Sequence, residues 1–281
     1  MTEPHIFTSI DPMRQRIAQW RQAGQRIAFV PTMGALHEGH ISLTQNAKAQ
    51  ADRVIVSIFV NPTQFAPNED FASYPRTFEA DVARLAAAGV DGVYYPTTDI
   101  IYPPGFVTTI SLAGPATAGL EDIIRPTHFQ GVATVVAKLL IQVGPDIAIF
   151  GEKDFQQLAV LRRLALDLDL PVTIIGAPIV RETDGLAMSS RNAYLKPDER
   201  AVAPTLYRAL QAARQRLRAK DEIQTVLTEA SATITASGFV LDYLELRDAG
   251  TLGAPHDHGR RLLVAARIGK TRLIDNVAVD E

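Results

Sequence analysis

Residues Arg26–Asn61 read RIAFVPTMGALHEGHISLTQNAKAQADRVIVSIFVN. RIAFVPT has the character of a buried strand and HISLTQNAKAQ that of a helix. The β-branched run RVIVSIFVN is a second buried strand. The same alternation extends outward in both directions. Upstream, SIDPMRQRIAQWRQAG places Met13, Ile17 and Trp20 near helical spacing, with Asp11 and Pro12 at its start and Gly24 as its stop. Downstream, RTFEADVARLAAAG reads as a helix, DGVYYP as a short strand and TTISLAG (Thr108–Gly114) as another. FQGVATVVAKLLIQVG is a helix, DIAIFG a strand, DFQQLAVLRRLALDL a helix and PVTIIGAPIV a strand. Apolar strands alternating with such helices call for an α/β, Rossmann-like parallel sheet with helices on both faces.

The pattern changes after Asn192. KPDERAVAPTLYRALQAARQRLRAK and EIQTVLTEASATITASG read as two helices, and VLDYLELRD, RLLVAARIG and TRLIDNVAV as three strands. A small α+β unit therefore follows the α/β unit. The expected domains are 1–186 and 187–281.

The chain has 281 residues, 47% hydrophobic and 21% charged, with a formal net charge of −3. That is an ordinary globular composition, large enough for a well-buried core. Lys and Arg are spread along the chain, so neither a nucleic acid nor a membrane surface is an expected partner. There is no cysteine, which removes disulfides, thiolate metal sites and a Cys nucleophile. The N-terminal stretch lacks the pattern of a signal peptide, and no apolar run approaches the roughly 20 residues of a membrane span. A cytoplasmic location is expected.

Ligands of open parallel sheets bind beyond the C-terminal ends of the strands, where the strand order switches. Four polar segments, three of them glycine-bearing, follow directly on expected strands: PTMGALHEGH, NPTQF, GEKD and RETDGLAMSSRN. They are candidates for one shared site. In the first, His37 and His40 are three apart. A zinc site needs a further ligand, and His5, His128, His256 and His258 stand in no motif. A phosphate site needs Gly34 for close approach and a helix N-terminus beginning near His37, which supplies N–H groups and positive potential. A glycine turn with a capping His accounts for the same residues. In GEKD, Asp154 can cap the helix that follows, and Lys153 is either a phosphate ligand or a solvated cation. MSSRN brings two hydroxyls and a guanidinium together, as a phosphate site or as a polar linker. Gln64 and Gln157 are neutral donor–acceptors that could hold a hydroxy acid without neutralising its carboxylate. Arg125 and His128, in RPTHFQG, could meet an anion or serve capping and packing.

Together these stretches resemble the pantothenate synthetase family. The resemblance is carried by PTMGALHEGHISL, VSIFVNPTQFAPNEDFASYPRTFEAD, RPTHFQGVATVVAKLL, FGEKDFQQLAVLRRL, IVRETDGLAMSSRNAYL, DYLELRD and RIGKTRLIDN, in order along most of the chain. The His-x-Gly-His loop alone is common to many nucleotidyltransferases, whereas the long FVNPTQF run with GEKDFQQLA and LAMSSRN is specific. The resemblance implies that pantoate attacks ATP to give pantoyl adenylate and pyrophosphate, and that β-alanine then displaces AMP. It implies that Met33, Gly34, Ala35, Leu36, His37, Glu38, Gly39 and His40 form the first ATP loop, with His40 the catalytic proton donor and His37 its nucleotide-contacting neighbour. Gly151, Glu152, Lys153 and Asp154 match the second ATP loop, with Lys153 on the phosphates and counted as catalytic. Val180 matches a backbone contact to adenine. Met188, Ser189, Ser190 and Arg191 match the third loop. Gln64 matches a ligand of both pantoate and β-alanine, and Gln157 a second ligand of pantoate. Mg²⁺ would travel with ATP, with no dedicated protein ligand. The C-terminal unit would act as a lid, and the family implies a homodimer. Two positions beside Arg125 and His128 depart from the family pattern: Thr127, where Gly is more usual, and Gln130, where a charged residue is common.

Overall fold

The computed structural model describes residues 3–65, 71–72 and 74–280. Residues 66–70 and 73, within the FVNPTQFAPNEDFASYPR stretch quoted above, lie outside the described residues. The strands are β1 His5–Phe7, β2 Ile27–Thr32, β3 Arg53–Ile58, β4 Gly92–Tyr94, β5 Ile147–Gly151, β6 Thr173–Ala177, β7 Val240–Asp248, β8 Arg260–Ile268 and β9 Thr271–Ala278. The helices are α1 Ile10–Gln22, α2 Glu38–Lys48, α3 Phe78–Ala87, α4 Thr98–Ile101, α5 Glu121–Ile124, α6 His128–Val143, α7 Phe155–Asp167, α8 Pro197–Val202, α9 Thr205–Arg218 and α10 Ile223–Ala236.

The chain forms two compact units. The first comprises Met1–Glu152 and Val160–Ala177. It holds a six-stranded sheet of order β1-β4-β3-β2-β5-β6, in which every pair is parallel. β2 lies between β3 and β5, with Ile27 opposite Arg53 and Ala28 opposite Ile147. Ala28, Phe29 and Val30 are fully buried because a strand with neighbours on both edges and helices on its faces has no solvent side. From β2 the chain steps to β3 and β4 on one side, then returns to β5 and β6 on the other. The strand order therefore switches between β2 and β5. α1 buries Met13, Ile17 and Trp20. The Arg53 guanidinium lies 5.7 Å from the Trp20 ring centroid. α6 is buried along nearly its whole length and ends at Gly144, whose φ of 60° supplies the left-handed residue common after a helix.

The structure corrects several expectations. TTISLAG is not a strand. It runs as irregular chain into a 3₁₀ turn at Gly114–Thr117, and the Ile110 N–H donates to the Thr134 hydroxyl on α6 instead of to a sheet neighbour. The strand expected over PVTIIGAPIV stops at Ala177. The single helix expected over KPDER…RAK is two, because Pro204 has no N–H to continue α8 and sits at the cap of α9. β1, only three residues long, was not foreseen; it pairs with β4 at one edge of the sheet.

The second unit comprises Lys153–Ala159 and Pro178–Glu281. An antiparallel sheet β7-β8-β9 carries Leu262, Val264 and Ala266 on the face that packs with Leu206, Leu210, Leu217, Val226 and Ile234 of α9 and α10. Pro178–Leu186, placed in the first domain by the expected 186/187 boundary, falls here. Leu186 is buried in this core. Arg181 pairs in bidentate fashion with Asp275 of β9 at 2.7 and 2.8 Å. Its guanidinium also lies 3.7 Å from the Tyr207 ring centroid. Lys153–Ala159 belongs here too: Asn276 Nδ2 donates to the Lys153 carbonyl at 3.0 Å, and the Arg261 guanidinium covers Phe155 at 4.1 Å. Among the described residues no helix is long and apolar enough to cross a membrane.

The Asp275 side chain is 4% exposed and that of Arg181 17%. Arg181→Ala strands the carboxylate, so we expect a loss of about 3 kcal/mol of stability, the low end for a broken buried pair. Urea denaturation followed by far-UV circular dichroism measures it, and a midpoint unchanged from wild type would contradict the assignment.

Candidate active site

The loop after β2 is held in an unusual backbone conformation. Gly34 has φ 84° and Ala35 φ 50°, both in the left-handed region. An alanine there costs roughly 1–2 kcal/mol. A buried carboxylate offsets this. Asp81 of α3 is 2% exposed and accepts from Ala35 N at 2.9 Å, Leu36 N at 2.8 Å and the Thr77 hydroxyl at 3.2 Å. Gly34 suits this turn on two counts: its φ is one that L side chains rarely adopt, and a Cβ there would lie 3.1 Å from Asp81 Oδ2 and from an Ile58 methyl carbon, a tight contact. Thr32 joins the loop to β3 by donating to Ser57 O at 2.7 Å and accepting from Gly34 N at 3.2 Å.

The turn this creates feeds α2, whose N-cap is His37. His37 Nδ1 accepts from Gly39 N at 3.1 Å, and His40 Nδ1 accepts from His37 N at 3.3 Å, a reciprocal capping box built from two imidazoles. Their ring centroids are 4.1 Å apart. A nitrogen that accepts from a backbone N–H carries no proton, so each ring holds its proton on Nε2. The capping arrangement open at the level of sequence is therefore present. It also prepares two imidazole N–H donors at the N-terminus of a helix, where the dipole favours anions. Glu38 is exposed, and His37, Gly39 and His40 are half-buried.

Gln64 closes a short 3₁₀ turn, Pro62–Gln64, just beyond β3. Its Nε2 is 2.7 Å from Met33 Sδ, and its Oε1 accepts from Asn61 Nδ2 at 3.2 Å. The structure thus brings Gln64 against the first loop. Asn61 is 1% exposed, and its Oδ1 accepts from Thr63 N and Oγ1 and from the Tyr102 hydroxyl at 2.8 Å. Burial pushes the Tyr102 phenol up from its ordinary pKa, against the opposing effect of these hydrogen bonds. Gly151 ends β5, next to β2, and Glu152 follows it.

The remaining expected residues lie in the second unit. Lys153 is half-buried and Asp154 exposed, in the 3₁₀ turn that precedes α7; Gln157 is half-buried in the first turns of α7. Met188 N donates to Val180 O at 2.9 Å, so the structure brings these two together. The bridge Arg181–Ala187 closes the same small loop. Ser189 caps the 3₁₀ turn Ser190–Tyr194 by accepting from Arg191 N at 3.3 Å. Among the described residues no three His, Cys, Asp or Glu side chains are grouped to hold a metal ion.

Asp81, Asn61 and Tyr102 were missed at the level of sequence. Asp81 reads there as an ordinary acid in the first turn of an amphipathic helix, and nothing local distinguishes it. Thr127 has φ −98°, which any residue adopts, so its replacement of Gly is unstrained.

The family model described as Pantoate-beta-alanine ligase matches residues 5–278. A pantothenate synthetase of Rhodopseudomonas palustris is 56% identical over 279 residues, covering 98% of this chain and 99% of that protein. The crystal structure of pantothenate synthetase from Thermus thermophilus matches with a TM-score of 0.92 at 44% identity, over 99% of this chain and 100% of that one. A pantoate-beta-alanine ligase from Francisella tularensis, solved in complex with beta-gamma ATP and beta-alanine, matches with a TM-score of 0.82 at 37% identity, over 98% of each chain.

Asp81→Ala leaves the buried Leu36 N–H and the half-buried Ala35 N–H without acceptors. We expect a loss of about 2–4 kcal/mol, together with faster hydrogen exchange at the amides of Ala35 and Leu36. Unchanged exchange at those two amides would show that the carboxylate does not hold the loop.

Proposed function

The chain belongs to the pantoate-β-alanine ligase family, and we propose that it forms pantothenate through a pantoyl adenylate made from ATP. A carboxylate resists displacement by an amine because oxide is a poor leaving group, and adenylation supplies a better one. In the first step a pantoate carboxylate oxygen bonds to the α-phosphorus of ATP, and the bond from that phosphorus to the bridging oxygen breaks, releasing pyrophosphate. In the second, the β-alanine amine bonds to the acyl carbon and loses a proton. The carbon–oxygen bond to phosphate breaks and AMP leaves. Positioning and stabilisation of developing charge carry such a reaction without a covalent nucleophile on the protein.

The observation that carries the reading is the loop after β2. His37 and His40 commit Nδ1 to the backbone and hold the proton on Nε2, beside the switch in strand order where ligands of such sheets bind. We assign His40 as the catalytic donor, its Nε2–H hydrogen-bonded to the departing pyrophosphate, and His37 as its partner on the nucleotide. Met33–His40 and Gly151–Asp154 bind ATP, with the Lys153 ammonium on the phosphates. The Val180 backbone meets adenine, and Met188–Arg191 meet the phosphates. Gln64 holds pantoate and then β-alanine, and Gln157 holds pantoate. A neutral amide suits this task, because a cation there would quench the nucleophilic carboxylate. Mg²⁺ is expected to arrive on the ATP and to neutralise phosphate charge; the hydroxyls and cations of the assigned residues suit the phosphates, and among the described residues no carboxylate cluster is offered to the metal. The reading includes a homodimer, a cytoplasmic location, and neither nucleic acid nor membrane as partner.

Incubated with ATP, Mg²⁺ and pantoate but no β-alanine, the enzyme is expected to release pyrophosphate in an amount set by enzyme concentration. Adding β-alanine should then yield AMP and pantothenate in equal amounts. Pyrophosphate that appears without pantoate, or only after β-alanine is added, rules out the adenylate. Lys153→Ala should slow the pantoate-dependent step roughly 10²–10³-fold, the usual effect of removing one stabilising donor, with an unchanged circular dichroism spectrum.

A further inference from the structure

Arg125 and His128 belong to none of the roles above, yet the structure places both on the backbone of Gln64. Arg125 Nη2 donates to the Gln64 carbonyl at 3.3 Å, and His128 Nδ1 lies 3.1 Å from the same oxygen. Arg125 Nη1 lies 3.2 Å from His128 Nε2. A guanidinium only donates, so His128 Nε2 is the acceptor of that contact. The His128 proton then resides on Nδ1 and points at the Gln64 carbonyl. Only this tautomer satisfies all three contacts, and it is the opposite of the one fixed in His37 and His40.

The helix beneath is shaped to receive the turn. His128 is the first residue of α6 and is 8% exposed. Gly131 follows on α6, and a Cβ there would lie 2.9 Å from Gln64 N and 2.7 Å from the Thr63 carbonyl carbon. Its missing side chain lets the Pro62–Gln64 turn rest on the helix backbone. Asn61 Nδ2 donates both to Gly131 O at 3.3 Å and to Gln64 Oε1 at 3.2 Å.

We infer that Arg125 and His128 are positioning residues that act through Gln64, fixing the peptide from which its amide reaches substrate. This rests on the reading of Gln64 as a ligand of pantoate. It predicts an effect on pantoate and not on ATP. The experiment is a double-mutant cycle on the full-length enzyme, with Gln64→Ala, His128→Leu and the pair, each assayed for KM toward pantoate and toward ATP. We expect His128→Leu to raise the pantoate KM about tenfold and to leave the ATP KM within twofold. The double variant should be no worse than Gln64→Ala alone, because coupled residues are non-additive. His128→Asn, whose amide N–H can replace Nδ1–H, should restore most of the loss. It also keeps the test open should His128→Leu fold poorly. Additive effects, or an ATP KM that rises as far as the pantoate KM, overturn the positioning role while Gln64 keeps its own. A pantoate KM unmoved by Gln64→Ala overturns the reading of Gln64, and the inference with it.

Discussion

Strand β2 is hydrogen-bonded on both edges, and the chain leaves it toward β3 on one side and reaches β5 on the other. That arrangement organises the first unit. Because all six strands are parallel, the segments that follow β2, β3 and β5 emerge at the same edge of the sheet. The connection after β2 must turn at once into α2, so the N-terminus of a helix lies next to the switch in strand order. Met33–His40, Asn61–Gln64 and Gly151–Glu152 gather there as a consequence of topology, before any side chain is considered.

The sharp turn after β2 is held by interactions from elsewhere in the sequence. A left-handed alanine is unfavourable by about 1–2 kcal/mol, whereas a hydrogen bond to a charged group contributes about 1.5–3 kcal/mol. Asp81 makes two to the backbone of this turn, so the carboxylate outweighs the strain. The adjoining turn at Gln64 is fixed in a different way, from Arg125, His128 and the bare surface of α6 at Gly131. In both places rigidity is imported from side chains remote in sequence from the turn they hold.

Much of the fold was legible in the sequence, because buried parallel strands are uniformly apolar and the helices between them are not. RVIVSIFVN and DIAIFG are strands for that reason. TTISLAG, with Thr108, Thr109 and Ser111 among its seven residues, is less apolar and is no strand: no sheet edge receives it, and Thr134 takes the Ile110 N–H instead. β1 is too short to show a period. The division of the chain was misread because Arg181 and Leu186 precede the expected boundary, yet their partners are in the C-terminal segment. Motif spacing exposed His37, His40 and the loops that follow the strands. It could not expose Asp81, whose contacts are 45 and 46 residues away in sequence. The tautomers of the three histidines were equally hidden, since each is set by partners that only the folded chain brings near.

Trp20 is the one tryptophan in the chain, and it is buried on α1 of the first unit, beneath the Arg53 guanidinium. Tyr194, Tyr207 and Tyr243 lie in the second unit. The tryptophan signal is therefore confined to the first unit by the fold, whereas tyrosine is shared, with Tyr74, Tyr94, Tyr95 and Tyr102 in that unit as well. Emission excited in the tryptophan band reports the packing of α1, whereas β7–β9 and their helices are optically silent at that wavelength and must be followed through tyrosine or the amide bands. Coincidence of tryptophan emission with the amide signal of the whole chain during denaturation tests whether both units melt together.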